Sequence, residues 1–203
     1  TNNVGIGQDA MRCNTTAGDN TAVGVEALRL NTTGNRNAAF GRNTLEGNTT
    51  GASNTAMGTN ALLLNTTGGC GVAIGADSLD SNTTGANNTS VGACALAANT
   101  TGSSNVALGR NSLNANTTAG FNVSIGSFAL AANTTGTSNT AVGQQALTAN
   151  TTGGNNVSIG ISSMATNTTA SNNVAVGKNA LTANTTGASI VAVGAGVMSS
   201  NTT

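Results

Sequence analysis

The chain has no Trp, Tyr, His or Pro and only three Phe among 203 residues. A thick aromatic core is therefore excluded, and with no His the usual general base of a hydrolase is missing too. Charge is equally scarce. Charged residues make up 6%, against roughly a quarter in ordinary soluble domains, and six Lys/Arg balance six Asp/Glu. A nucleic-acid partner needs a basic stripe, and a charged membrane patch has no more support. No apolar run approaches the ~20 residues of a membrane span. The three cysteines, Cys13, Cys70 and Cys94, are an odd number without the paired spacing of a zinc site. They read as free thiols, buried or half-buried.

What the chain does have is a period. Asn-Thr-Thr begins at residues 14, 31, 48, 65, 82, 99, 116, 133, 150, 167, 184 and 201, a spacing of 17 without insertion or deletion. Ordinary loops drift in length, whereas stacked coils cannot gain a residue in one layer without losing register with the next. The expectation is an all-β parallel β-solenoid of 17 residues per coil and about 12 coils, a rod on the order of 57 Å long at ~4.8 Å per layer. The span 1–203 reads as one domain, an excerpt of a longer fibre. Low complexity rich in Asn, Thr, Ser and Gly can mean disorder, but here the apolar residues fall in fixed columns, the mark of a core shared between layers.

Numbering the Asn of Asn-Thr-Thr as column 1 gives the consensus N-T-T-G-x-x-N-(T/V)-(A/S)-(V/I)-G-x-x-(A/S)-(L/M)-x-x. Column 1 is Asn14, Asn31, Asn48, Asn65, Asn82, Asn99, Asn116, Asn133, Asn150, Asn167 and Asn184. Column 7 is also Asn except at Gly71 and Ile190. Asn suits turns, and stacked amides can bond one another as a ladder. Column 11 is always Gly: Gly24, Gly41, Gly58, Gly75, Gly92, Gly109, Gly126, Gly143, Gly160 and Gly177 within the array, with Gly7 and Gly194 at its ends. Such a column marks a corner with positive φ or close backbone approach. Column 15 holds Leu28, Leu45, Leu62, Leu79, Leu96, Leu113, Leu130, Leu147 and Leu181, with Met elsewhere.

Columns 10 and 15 read as the core. Columns 8 to 10 form a β-prone run such as Val157-Ser158-Ile159, and alternation would send columns 8 and 10 inward and column 9 outward. Column 9 is Ala, Ser or Gly in every copy. An outward stripe of small residues would suit a second chain packed against it, so homo-oligomerisation follows as an expectation. Ala-Leu-Ala-Ala at 95–98 and 129–132 is too short for a helix between Gly and Asn-Thr-Thr. Two or three short strands per coil fit better.

Most charges precede residue 81. Residues 17 apart should stack, which pairs Asp19 with Arg36 and Arg29 with Glu46. It also sets Arg12 over Arg29 and Asp9 over Glu26, like charges that need lateral compensation.

At Asn20-Thr21-Ala22-Val23-Gly24, Asn54-Thr55-Ala56-Met57-Gly58 and Asn139-Thr140-Ala141-Val142-Gly143, with Ala-Leu three residues after the Gly, the chain resembles the head repeats of YadA-type trimeric autotransporter adhesins. It resembles more closely the Asn-Thr-Ala-Val-Gly-x-x-Ala-Leu-x-x-Asn-Thr-Thr-Gly arrays of tail-fibre-domain proteins. The resemblance covers the whole chain. It implies a left-handed parallel β-roll, three chains about one axis, and an extracellular, cell-surface or virion fibre presenting a distal receptor-binding tip.

No catalytic constellation is visible, no cofactor or metal is implied, and the chain reads as no enzyme. Asp77 and Asp80 read as a surface turn, and Gly69-Cys70-Gly71 lacks the residues of a phosphate or dinucleotide loop. A calcium roll would carry Asp where this repeat has Asn. The Asn-Thr-Thr triplets, Asn88-Thr89-Ser90, Asn122-Val123-Ser124 and Asn156-Val157-Ser158 are formal glycosylation sequons, which stacked, buried Asn would withhold from a transferase. Two functions remain. The first is a structural fibre shaft that associates with itself, as a homotrimer or end to end, with a surface glycan or receptor bound by a tip outside this chain. The alternative is ice binding through the Thr of columns 2 and 3, although adjacent residues point to opposite faces and only one column can face out.

Overall fold

The structure, a computed structural model, describes residues 2–202; Thr1 and Thr203, the last Thr of column 3, lie outside the described residues. Each coil contributes one three-residue strand at columns 8 to 10: β1 (Val4–Ile6), β2 (Thr21–Val23), β3 (Ala38–Phe40), β4 (Thr55–Met57), β5 (Val72–Ile74), β6 (Thr89–Val91), β7 (Val106–Leu108), β8 (Val123–Ile125), β9 (Thr140–Val142), β10 (Val157–Ile159), β11 (Val174–Val176) and β12 (Val191–Val193). They form one parallel sheet in sequential order. Every residue of β1 to β11 pairs with the one 17 positions on, as Val72 with Thr89 and Ala73 with Ser90. The chain is thus an all-β solenoid of the expected period, with one strand per coil rather than two or three.

The rest of each coil is bonded to its neighbours without forming strands. In the coil starting at Asn14, the Gly24 N–H donates to the Ile6 carbonyl below at 2.8 Å and Glu26 to Gln8 at 2.9 Å. In the other direction, Thr21 donates to Asn37 at 2.9 Å, Leu28 to Thr44 at 2.9 Å and Leu30 to Glu46 at 3.0 Å. Backbone polar groups that would otherwise lie unpaired in a thin interior are satisfied layer by layer.

The core sits between the sheet and the column 15 stack. Leu28 through Leu147, Met164 and Leu181 are its largest fully buried side chains, and Ala or Ser of columns 9 and 14, with Thr44, fill the remaining space. The pleat runs opposite to expectation. Column 9 points inward, with Ala22, Ala39, Ala56, Ala73, Ser90 and Ser124 fully buried, while columns 8 and 10 point outward. Across from the sheet, Leu already occupies the interior, which leaves room for a methyl or hydroxymethyl but not for Ile or Phe. The small residues of column 9 are therefore an internal fit, and they offer no surface to a second chain.

The turns carry the chain through the left-handed region three times per coil. In the coil of Leu96, these are Asn87 (φ 60°), Cys94 (φ 54°) and Leu96 itself (φ 53°). Leu rarely adopts this geometry, which costs on the order of 1–3 kcal/mol. It is held here because the Leu96 N–H donates to the Ser112 carbonyl at 3.0 Å, its carbonyl accepts from the Asn99 N–H at 3.2 Å, and its side chain is buried. Column 11 turns with φ from 124° to 142°, and a Cβ on Gly92 would stand 2.7 Å from the carbonyl carbon and oxygen of Gly109. Only glycine makes that corner.

Candidate functional site

Two asparagine ladders climb the rod, column 1 without a break from Asn14 to Asn184 and column 7 interrupted at Gly71. In column 1, Asn48 Nδ2 donates to Asn31 Oδ1 and Asn65 Nδ2 to Asn48 Oδ1, both at 2.8 Å. The same series continues to Asn184, whose Nδ2 reaches Asn167 Oδ1 at 3.3 Å. In column 7 the side-chain oxygen accepts a backbone N–H from the next coil, as Asn37 N–H to Asn20 Oδ1 at 2.8 Å. Both ladders converge on one carbonyl per coil: Gly51 O accepts from Asn48 Nδ2 and from Asn37 Nδ2, each at 2.9 Å. These amides are buried with their hydrogen-bonding groups engaged. Asn88, Asn122 and Asn156 of the remaining sequons are buried in the same way, so the folded rod offers a glycosyltransferase no free Asn amide at these sites.

Gly71 breaks the column 7 ladder. Its N–H donates to Asn54 Oδ1 at 2.8 Å, but it has no amide to pass on, and among the described residues Gly85 O accepts only from Asn82 Nδ2 at 3.0 Å. Cys70 beside it turns with φ 56°, so Gly69-Cys70-Gly71 is a variant of the ordinary turn.

The two Thr columns behave differently. Column 2 hydroxyls donate to the carbonyl of the next Thr up, Thr32 to Thr49 at 2.9 Å and Thr66 to Thr83 at 2.9 Å. Column 3, including Thr33, Thr67 and Thr101, is exposed in single file. No second exposed Thr column adjoins it within Asn-Thr-Thr.

Among the described residues, four of the charged side chains form two local pairs. Arg29 and Glu46 are joined as expected, with Arg29 Nε donating to Glu46 Oε1 at 3.0 Å, and this hydrogen bond first of all holds the Arg29 pKa above its ordinary value. Arg12 lies 4.0 Å from Asp9, the lateral compensation that their columns need. Asp19 instead accepts from Asn2 Nδ2 at 3.3 Å and forms no ion pair with Arg36 among the described residues. Asp80 is half-buried, and burial, followed by the charge of Asp77, raises its carboxyl above the ordinary range against the bonds from Ser81. All three thiols are free. Cys13 and Cys70 are exposed rather than buried, and Cys94 is half-buried. Among the described residues no three His, Cys, Asp or Glu are grouped to hold a metal.

The feature that sequence reasoning missed is the outer face of the sheet. Columns 8 and 10 present paired rows such as Thr55 and Met57, Val72 and Ile74, Val106 and Leu108, repeated at every layer. No charged residue occupies either column. Column 10 carried the signal: it ranges from Val to Phe and Met, a spread of volumes that a close-packed interior does not accept.

The fold and these ladders define a β-solenoid repeat protein. The chain matches no family model, no curated protein and no solved structure.

Proposed function

We propose that this chain is a structural, non-enzymatic shaft segment of an extracellular, cell-surface or virion fibre, of the adhesin or tail-fibre kind, that holds a binding tip away from its anchor. One observation carries the reading: coil after coil is bonded to the next through the backbone and the unbroken column 1 Asn ladder, with no insertion anywhere in 203 residues. Such a chain converts residue number into length, which is what a shaft requires. Self-association into a fibre, with three copies about an axis as the resemblance implies, belongs to the same reading. So does recognition of a surface glycan or receptor by a tip outside this chain.

Ice binding through Asn-Thr-Thr is the weaker reading, because column 2 hydroxyls are engaged within the rod and column 3 supplies a single row. Immunogold labelling with antibodies raised against the rod tests the fibre. Gold along filaments outside the cell or on virions is expected, and labelling confined to the cell interior would overturn it. Faceting of growing ice crystals by the isolated rod would instead favour the Thr array.

A further inference from the structure

We propose that the outer face of the sheet, columns 8 and 10, is the surface through which this chain packs against a second copy of itself. This deepens the fibre reading by naming the contact.

The face is uncharged, apolar all along column 10, and open. Phe40, Met57, Leu108 and Ile159 stand 38%, 44%, 45% and 39% exposed along one row. The companion row is Thr or Val at every layer except Ala38. From β1 to β12 the strip spans about 53 Å at ~4.8 Å per strand, and three residues at ~3.3 Å make it about 10 Å across, roughly 530 Å² on one copy. That is toward the upper end of the patch an isolated soluble protein leaves to water. Two such strips together remove about 1,060 Å², just past the ~1,000 Å² that a specific interface clears. β-Branched side chains have little χ1 freedom to lose, so fixing them in a contact costs little entropy.

The geometry selects the partner. The face repeats at every strand with one residue pair per layer, and another copy of this chain carries the same period. Side-chain rows of two copies can therefore interdigitate over the whole length, whereas a partner without the period would match a few layers only. Sheets pack face to face in this manner at about 10 Å separation. An extended peptide adding a strand would bond at a sheet edge, and this sheet has edges only at β1 and β12. The absence of charge from both rows removes the means of attracting a charged partner and the desolvation penalty of burying one.

Sedimentation equilibrium of the full 203-residue chain tests the contact. The wild type is expected to associate. Ile74→Glu with Leu108→Glu should weaken association at least tenfold, with circular dichroism and melting of the monomer unchanged because both side chains point outward. The uncharged pair Ile74→Thr with Leu108→Thr should act in the same direction. Thr101→Glu with Thr135→Glu, on the exposed column 3, should leave association intact. A monomeric wild type at 100 μM overturns the proposal. So does association that survives the sheet-face variants; if it is lost in the column 3 variant, the contact lies elsewhere and the fibre reading stands.

Discussion

Gly71 shows what one amide does in this molecule. At every neighbouring coil an Asn accepts an N–H from the layer above and donates to a column 4 carbonyl; Gly71 can do neither. A Cβ there would sit 3.0 Å from Asn54 Oδ1, the oxygen its own N–H already contacts, and the Asn residues of column 7 accommodate the same arrangement. Gly71→Asn should therefore complete the ladder through Gly85 O and the Asn88 N–H. With each net hydrogen bond worth about 0.5–1.5 kcal/mol, less the cost of ordering the side chain, a gain of about 1 kcal/mol is expected as a raised melting temperature. No gain would mean that the ladder sets register without adding stability. Asp80 is the opposite case. Burial raises its carboxyl above the ordinary value, so the folded chain holds that proton more tightly than the unfolded chain. Stability is thus fully present below the ordinary carboxylate range and falls as pH rises through the raised value. Asp80→Asn should melt higher than wild type at pH 7 and equal to it at pH 3, which paired thermal scans at the two pH values would check.

At the scale of one coil, the sequence revealed the period, the parallel class, the Asn ladders and the glycine corner. Each depends on identity at a fixed spacing, and any stacked geometry makes the same demand. It misassigned the pleat of the strand. Three residues are too few for alternation to declare which face is buried, and the usual rule puts the larger apolar residues inside. The Leu stack opposite decides the matter, and its bulk was visible in column 15 while its position across from column 9 was not. Nor did the sequence disclose that Leu28, Leu96 and their equivalents lie in the left-handed region, since nothing in a Leu codes for that backbone; burial and two hydrogen bonds impose it. The outward face is hidden along with the pleat, because large apolar residues in columns 8 and 10 read as core until the strand's orientation is known. The corner can be tested directly. Gly92→Val would set a Cβ against the Gly109 carbonyl and force a β-branched residue into φ 133°. A loss of about 3 kcal/mol or more is expected in thermal or denaturant melting, and retention of wild-type stability would remove the corner from the argument.

For the whole molecule, the governing property is that each layer contacts only the next, so stability is close to a sum of identical units and interfaces. Deleting residues 116–132 removes one complete turn, including β8, and joins Ala115 to Asn133 as every other column 17 residue joins its column 1 Asn. The Asn133 amide would then meet Asn99 in place of Asn116, its present partner at 3.1 Å, and β7 would pair with β9. The shortened rod should keep its circular dichroism spectrum and melt within a few degrees of wild type, while small-angle scattering records a maximum dimension lower by about 4.8 Å. Inserting one residue between Ser124 and Ile125 changes the length far less but shifts the pleat, sending an outward residue toward the Leu stack. That variant should melt well below the deletion variant. If seventeen residues prove costlier to remove than one is to add, layers are not interchangeable, and a shaft whose length is set by counting turns is the wrong description.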